Sequence, residues 1–315
     1  MRVLVTGGSG YLGTRLLRDL AAGDGVEELV DLVVRPPPEP IPRVCFIQGS
    51  VTDDLRATFL DHGIDVAVHL AWTVDPLHDH RRQRDICIGG TRRFLEACSD
   101  ARVKQVLFTS SATAYGANLA HRVPLDESAP LLDRHHFQYS AEKREAEGLF
   151  GAWGEAHPSA VVQVARPTVV AGEHASNFIF RTMDRGPSLR PAGCDPVIQL
   201  VHEEDCAAAL AAILRSRLPG AFNVTADGDL LLSEVNARLG IRAVPVPLPV
   251  LYAVVAAAWT LRLPGLGDAP PEFVRFVALP WTVSNRRLKE EVGFRFRLDG
   301  RATLEAYASA RERRG

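Results

Sequence analysis

Short apolar runs alternate along the first half of the chain with segments whose apolar residues recur at helical spacing. The runs predict five strands, at residues 2–5, 28–34, 44–48, 66–71 and 105–110. Between the last two strands, residues 90–99 place Phe94, Leu95 and Cys98 on one face of a helix. Strands that are apolar throughout are buried on both faces, so the pattern predicts a parallel sheet covered by helices, a doubly wound α/β fold.

The first strand leads into a glycine-rich turn, residues 6–13, and then into a helix. Gly7, Gly10 and Gly13 stand three residues apart. This spacing suits a backbone that turns tightly, approaches a pyrophosphate closely and lets the helix pack against the strand. The anion would lie at the amino terminus of the helix, where backbone N–H groups face it. In this strand–loop–helix context, the glycines predict a dinucleotide site rather than an ordinary turn.

The end of the second predicted strand bears on the choice of nicotinamide cofactor, because the adenosine ribose is read there. The strand ends at Val33, Val34 and Arg35, ahead of a run of prolines. An arginine at this point suits the 2′-phosphate of NADP, whereas an acidic side chain suits the 2′-hydroxyl of NAD. Asp31 could reach the ribose only if the strand ended two residues earlier. The sequence therefore favours NADP over NAD.

Composition narrows the classes of partner. The chain has 315 residues, 46% of them hydrophobic, and a formal net charge of −2 without a dense Lys/Arg block, so no nucleic-acid partner is expected. Its five cysteines form no CxxC pair, which is typical of reduced thiols, and the first strand begins at residue 2, which leaves no room for a signal peptide. We therefore expect a cytoplasmic protein.

The most apolar window, residues 244–263, is interrupted by prolines and Arg262, so no membrane span is expected.

Candidate catalytic groups follow the fifth predicted strand. Ser111 comes directly after it, and Tyr139 and Lys143 lie four residues apart on one face of a later helix. Lowering the phenol pKa by ~3 units from its reference value near 10 requires about 4 kcal/mol. Lys143, with a cationic oxidised nicotinamide, is placed to supply much of this. Tyr139 would then exchange a proton with the substrate oxygen during hydride transfer, and Ser111 would hold that oxygen by a hydrogen bond.

Six motifs in this order resemble those of the extended short-chain dehydrogenase/reductases, also called the NAD-dependent epimerase/dehydratase family. They are TGGSGYLG (6–13), HLAW (69–72), TSSATAYG (109–116), YSAEK (139–143), RPTVVAG (166–172) and VHEEDCA (201–207). The resemblance implies a Rossmann domain, residues 1–166 and about 196–226, and a smaller carboxyl-terminal substrate lobe, residues 167–195 and 227–315. It also implies catalytic roles for Ser111, Tyr139 and Lys143, and a homodimer.

The resemblance and the motif positions together imply two sets of binding residues. The expected cofactor contacts are Thr6, Gly7, Ser9, Gly10, Tyr11, Leu12, Gly13, Arg35, Ser50, Val51, Leu70, Ala71, Trp72, Cys87, Lys143, Arg166, Pro167 and Val169. The expected substrate contacts are Trp72, Ser111, Ala112, Thr113, His136, Asn177 and Phe178. No metal site is expected, because His78 and His80 are typical of an exposed loop.

Three positions depart from the family pattern. The family usually has an acidic residue at Val33, an aspartate at Ser50 and an asparagine at Cys87. That asparagine supports the lysine through water, and a thiol hydrogen-bonds only weakly. We therefore expect the proton relay to be impaired or rerouted.

The resemblance implies an NAD(P)-dependent oxidoreductase that interconverts an alcohol and a carbonyl. The alternative is a nucleotide-sugar epimerase or dehydratase, in which hydride leaves and returns; a regulator that binds cofactor without turnover is a third reading. The epimerase needs a diphosphate anchor, and no arginine stands at the family's position within residues 198–205, although Arg181, Arg185 and Arg190 are nearby. The carboxyl-terminal lobe looks more like those of aliphatic or steroid-handling reductases, unless its apolar residues are simply core. Those residues include Trp259, Phe273, Phe276 and Trp281.

Overall fold

A parallel sheet occupies the centre of the molecule. The computed structural model describes residues 1–35, 37, 39–131, 137–175, 178–184 (without the side chains of 182–184) and 188–314. The strands are β1 (Arg2–Thr6), β2 (Glu28–Val33), β3 (Val44–Gln48), β4 (Val66–His69), β5 (Gln105–Thr109), β6 (Val161–Pro167), β7 (Val169–Ala171), β8 (Ser188–Pro191), β9 (Val197–Ile198), β10 (Leu200–His202), β11 (Gly220–Val224), β12 (Leu230–Leu231) and β13 (Ala243–Val246). Seven of them pair in the order β3-β2-β1-β4-β5-β6-β11, all parallel.

Helices cover both faces of this sheet, and further helices belong to the carboxyl-terminal part of the chain. The helices are α1 (Tyr11–Ala22), α2 (Arg56–Asp61), α3 (His80–Arg84), α4 (Gly90–Asp100), α5 (Gln138–Ala156), α6 (Phe178–Asp184), α7 (Glu203–Ser216), α8 (Leu232–Arg238), α9 (Leu248–Thr260), α10 (Arg286–Glu290) and α11 (Gly300–Arg314). One π-helical turn, Asp85–Gly89, joins α3 to α4. Short 3₁₀ helices cover Ala112–Tyr115 and Pro271–Val277.

Alternate residues of the strands supply two separate cores, one on each face of the sheet. On one face Val3 and Val5 pack with leucines of α1 and α7. On the other face Leu4 packs with Phe94 of α4 and Phe150 of α5. Helix α1 buries its leucines at positions three and four apart, which is why this segment is an amphipathic helix. The predicted doubly wound α/β fold is confirmed.

The strand ends differ slightly from those expected. β2 ends at Val33, β4 at His69 and β5 at Thr109, each one or two residues before the predicted end. After β4 and β5 the next residues remain partly or fully buried as the chain leaves the sheet, whereas Val34, which follows β2, is exposed. Ala71, for example, lies against the glycine loop, where a Cβ on Gly7 would come within 2.8 Å of it.

The carboxyl-terminal part of the chain adds three two-stranded sheets beside the central one: β7 with β10, β8 with β13, and β9 with β12. Helix α9 packs on β8 and on the 3₁₀ helix Pro271–Val277 through Leu251 and Val255. The division into two domains at the stated boundaries stays a prediction. Among the described residues, no helix is both long enough and apolar enough to cross a bilayer.

Candidate active site

A cleft of about 670 Å³ crosses the carboxyl ends of the central strands and extends to the carboxyl-terminal aromatic residues. Ligands bind at this edge in open α/β sheets. Many residues singled out from the sequence line it: Gly7, Ser9, Gly10, Tyr11, Leu12, Gly13, Arg35, Ser50, Val51, Leu70, Ala71, Trp72, Ser111, Thr113, Tyr139, Lys143, Pro167, Val169 and Phe178.

The glycine loop fits a pyrophosphate. Gly7 has a φ of +76°, and a Cβ on Gly13 would come within 2.6 Å of Gly8, so the fold itself requires glycine at both positions. A Cβ on Gly10 would meet only the carbonyl of Gly7, at 3.4 Å. The protein thus leaves open space at Gly10, next to the amino terminus of α1. No side chain caps that terminus and its first turn has no acidic residue, which suits an anionic ligand.

The side chain of Asp31 holds the glycine loop by hydrogen bonds. Its side chain is fully buried, and it accepts hydrogen bonds from the Gly8 amide (2.8 Å) and the Ser9 hydroxyl (3.1 Å). Burial raises the pKa of this carboxyl to about 6, against the two hydrogen bonds that lower it. The strand does end earlier than expected, but Asp31 does not line the cleft, so its carboxylate holds the loop rather than facing a ribose.

The far end of the cleft is the edge where an adenosine ribose would lie. Val33, Val34 and Arg35 form one side and Ser50 the other. Val34 and Arg35 are exposed, and no described residue forms an ion pair with Arg35. Its guanidinium is therefore available to an anionic group at this end.

The three candidate catalytic residues meet at the middle of the cleft. Ser111 begins the 3₁₀ helix that follows β5, and its Oγ accepts hydrogen bonds from the amide (3.2 Å) and hydroxyl (2.9 Å) of Thr113. Its hydroxyl proton is thereby left to donate elsewhere. Tyr139 is the second residue of α5, and a hydrogen bond joins its side chain to Ser111.

Lys143 lies one turn further along α5, and contacts with Thr109 and Trp72 hold its side chain in place. Its Nζ donates to the Thr109 carbonyl at 2.7 Å and stands 3.8 Å from the ring centroid of Trp72. Lys143 is buried, with an exposed fraction of 3% for the whole residue. Burial lowers the pKa of Lys143 to about 7, although Cys87, Glu147 and Glu142 favour the charged form.

In the protein alone, the pKa of Tyr139 is raised rather than lowered. Burial raises it, and the hydrogen bond from Ser111 offsets this only in part. The lowered pKa that is expected from Lys143 together with a cationic nicotinamide stays a prediction. Burial is the largest cause of the rise, and the Lys143 ammonium donates to Thr109 and stands over Trp72. The protein by itself therefore keeps Tyr139 protonated at neutral pH, ready to act as an acid.

A buried ion pair behind the cleft explains the position of Arg166. Its guanidinium donates to Glu147 at 2.6 Å and to the Tyr115 hydroxyl at 2.6 Å, and both members of the pair are 7% exposed. Glu147 also accepts from the Ser110 hydroxyl at 2.5 Å. Arg166 is thus not among the residues that line the cleft, and its expected cofactor contact stays a prediction. Glu147 was not singled out from the sequence, although it continues the spacing of four from Tyr139 and Lys143.

Three further expected contacts also lie behind the wall rather than on it. Thr6 is fully buried and bonds to His69 at 2.8 Å. Ala112 is fully buried in a third apolar cluster, which it forms with Phe137, Phe178, Phe276 and Trp281 among others. Cys87 is fully buried in the π-helical turn, where burial raises the pKa of its thiol to about 11 and Thr73 is its hydrogen-bond partner. In each of these residues the side chain packs into the protein instead of the cleft.

The expected contacts at His136 and Asn177 lie outside the described residues, as does Arg185. Of the other arginines considered as diphosphate anchors, Arg181 forms an ion pair with Asp75 at 3.0 Å, and Arg190 donates to the Cys194 carbonyl at 3.1 Å. Among the described residues there is also no cluster of side chains that could hold a metal ion.

The substrate end of the cleft is aromatic. Phe137, Phe273 and Trp281 line it together with Phe178, and Phe273 contacts both Phe178 (5.0 Å between ring centroids) and Phe137 (5.9 Å). Phe273 and Trp281 come from the carboxyl-terminal part of the chain, where the sequence alone could not separate core from binding residues. Both residues line the cleft, and both also pack in the third apolar cluster, Trp281 as a buried member and Phe273 partly buried against it.

Residues 3–225 match the model of the NAD dependent epimerase/dehydratase family. The chain belongs to this family. Family membership agrees with the glycine loop and with the Ser111–Tyr139–Lys143 arrangement, both of which lie inside the matched residues. The matched part ends at the last strand of the central sheet, and so the carboxyl-terminal residues that line the substrate end lie beyond it.

Similar proteins span several activities. An uncharacterized protein of Mycobacterium tuberculosis is 25% identical over 256 residues, which are 78% of this chain and 67% of that protein. The 3 beta-hydroxysteroid dehydrogenase/Delta 5→4-isomerase of vaccinia virus is 27% identical over 212 residues, 57% of this chain and 59% of that protein. A crystal structure of Thermus thermophilus UDP-glucose 4-epimerase in complex with NAD superposes with a TM-score of 0.75 at 22% identity, covering 98% of each chain.

Proposed function

We propose that this member of the family is an NAD(P)-dependent oxidoreductase that interconverts a carbonyl and an alcohol. The observation that carries the proposal is the meeting of Ser111, Tyr139 and Lys143 in the same cleft as a glycine loop shaped for a pyrophosphate. The similarity to a viral hydroxysteroid dehydrogenase supports this reaction class.

Each residue has a defined part in the reaction. A bound nicotinamide cofactor supplies a hydride to the carbonyl carbon, or accepts it in the reverse direction. The Ser111 hydroxyl donates a hydrogen bond to the substrate oxygen, and Tyr139 gives that oxygen its proton, so that a carbonyl gains one hydride and one proton. Lys143 places its positive charge beside the phenol and stabilises the phenolate that remains. Because Tyr139 is held in its protonated form, it is ready to donate the proton that reduction of a carbonyl requires.

The cofactor we favour is NADP. Arg35 lies at the ribose end of the cleft without an ion-pair partner among the described residues, and arginine is suited to a 2′-phosphate. NAD is the alternative, supported by its presence in the Thermus epimerase structure. A nucleotide-sugar epimerase is correspondingly the second candidate function, supported by that overall similarity, whereas the pairing of Arg181 and Arg190 within the protein speaks against it.

The decisive experiment compares the oxidation of NADPH in the presence of ketones with the response of the protein to UDP and UDP-glucose. Purified protein is given NADPH or NADH with a panel of alkyl and alicyclic ketones, and in parallel with UDP and UDP-glucose. We expect stoichiometric NADPH oxidation with ketones and no response to UDP. Tyr139→Phe should lower the rate by about 10²- to 10⁴-fold while leaving the dissociation constant of NADPH unchanged.

The control for this substitution is Tyr252→Phe, because Tyr252 is 43% exposed on α9, away from the cleft. It should behave as the unmodified protein. A tightly retained NAD, a shift on addition of UDP and no net NADPH oxidation would refute the oxidoreductase and support the epimerase. Weakened NADPH binding in Tyr139→Phe would show that Tyr139 has another role.

Two further properties belong to this proposal. We propose a homodimer, which analytical ultracentrifugation tests directly. We also propose a reducing, cytoplasmic setting, supported by the five cysteines, which are all free in the structure. Recovery of the protein in a disulfide-linked form from its cell would contradict the second point.

A further inference from the structure

A second cavity adjoins the substrate end of the cleft. It has a volume of about 140 Å³ and lies between the carboxyl-terminal elements, with α9 as one wall. We call it the apolar chamber. Four residues line both the chamber and the cleft, so the two spaces adjoin at these residues: Val169, Ile179, Phe273 and Trp281.

The chamber has an apolar lining. Among the described residues that line it, Ser188 and Trp281 carry polar side-chain atoms, and both atoms have partners within the protein. The Ser188 hydroxyl accepts from Asn236 at 3.3 Å, and the Trp281 indole donates to the Phe276 carbonyl at 2.9 Å. No charged side chain is among these lining residues, so a phosphate or a sugar would lose its hydration there without replacement.

The size of the chamber sets the size of its occupant. An apolar cavity of about 150 Å³ holds one benzene molecule and stays free of water otherwise. The chamber is therefore matched to on the order of six carbon atoms.

We propose that the chamber binds the apolar tail of the carbonyl substrate, which identifies the substrate class as ketones or aldehydes with an aliphatic or alicyclic tail. This inference rests on the proposed oxidoreductase function. The reacting carbonyl lies at Ser111 and Tyr139, and the tail extends past Phe273 and Trp281 toward α9. Burial of the tail in the chamber supplies binding energy that does not depend on the cofactor.

Helix α9 provides a matched pair of substitutions. Val255 is 8% exposed and lines the chamber, whereas its neighbour Val254 is 38% exposed and does not line it. Val255→Phe fills the chamber, and Val254→Phe makes the same chemical change on the outer face of the helix. Ala269→Leu fills the chamber from another segment and serves as a second variant should Val255→Phe fail to fold.

The first test uses benzene as the probe and does not require catalysis. Thermal unfolding is measured with and without benzene, because a ligand that binds the folded state raises the melting temperature. We expect a rise for the unmodified protein and for Val254→Phe, and none for Val255→Phe or Ala269→Leu. No rise in the unmodified protein, or an equal rise in all four proteins, would overturn the chamber as a binding site.

The second test links the chamber to the reaction. The kcat/KM of NADPH-dependent reduction is measured for straight-chain methyl ketones from 2-butanone to 2-dodecanone. We expect it to rise about fourfold for each methylene that enters the chamber, the equivalent of about 0.8 kcal/mol, and then to level off. In Val255→Phe the rise should end several carbons earlier, while Val254→Phe should follow the unmodified protein.

The two tests separate failure of the chamber from failure of the reaction. Benzene binding that Val255→Phe abolishes, with no ketone reduced at any length, would refute the reaction and retain an apolar binding site. Ketone reduction that is independent of chain length and equal in all variants would refute the chamber and leave the reaction standing.

Discussion

Asp31 is a buried carboxylate beneath the glycine loop, and we predict that replacing it with asparagine stabilises the protein above pH 6. The side chain is fully buried, and its pKa is raised from 3.8 to about 6 because burial outweighs the hydrogen bonds from Gly8 and Ser9. A carboxyl whose pKa is higher in the folded state binds its proton more tightly there. Its contribution to stability is therefore complete below about pH 4 and is lost as the pH rises through 6.

The magnitude follows from the size of this shift. About two pKa units at 1.36 kcal/mol each give about 3 kcal/mol of stability lost between pH 4 and pH 7. Asparagine has the same shape, does not ionise, and its side-chain oxygen can still accept from Gly8. The difference in unfolding free energy between Asp31→Asn and the unmodified protein should therefore grow by about 3 kcal/mol in favour of the variant over this range.

The assay is urea denaturation at a series of pH values from 4 to 7. The control is Asp24→Asn, since Asp24 is exposed in the loop that precedes β2. Its stability difference should change little with pH. A difference for Asp31→Asn that is constant with pH, or that grows in favour of the unmodified protein, would show that the two hydrogen bonds outweigh burial, and it would refute the argument.

Two other predictions concern charged groups of the site. Arg35→Ala should weaken NADPH binding about tenfold or more and leave NADH binding nearly unchanged, because a charge-assisted hydrogen bond contributes about 1.5–3 kcal/mol. Fluorescence titration measures both affinities, and an equal loss for both cofactors would refute the assignment of Arg35 to the 2′-phosphate. Glu147→Gln should lower the unfolding free energy by about 3–5 kcal/mol, because it leaves the Arg166 guanidinium buried without its counter-charge. Glu145→Gln, a change on the more exposed side of the same helix, is the control, and a similar loss in both variants would contradict the reasoning.

Five of the seven strands of the central sheet could be predicted, because they are apolar runs that alternate with segments of helical spacing; β6 and β11 of the same sheet were not predicted. Several of the other strands that the sequence did not reveal are shorter. β9 and β12 are two residues long, and β7 and β10 three, too short to show any periodicity. Their positions depend on pairing between distant parts of the chain, which a local pattern does not contain.

The candidate site also has features that could be predicted from the sequence and features that could not. The glycine loop and the pair Tyr139–Lys143 are local motifs, and the sequence located them. The pKa values of these residues could not be predicted, because they are set by burial, and burial depends on which elements pack above the site. The apolar chamber was equally hidden, since its wall combines residues as distant as Val169 and Val255.

Hydrogen bonds between the end of β5 and helix α5 fix the position of Tyr139 relative to Ser111. Three consecutive residues leaving β5 meet three residues of α5 that are spaced by four. Thr109 accepts from Lys143, Ser110 donates to Glu147, and Ser111 bonds to Tyr139.

The helix is thus tied to the strand end at three successive turns, and the buried Arg166–Glu147 pair closes the last of them. A helix held in this manner cannot slide or rotate without breaking a buried hydrogen bond, and each such break is costly. The relation between Ser111 and Tyr139 is therefore set in part by Glu147 and Arg166, which are not among the residues that line the cleft. For this reason we regard Glu147 and Arg166 as positioning residues.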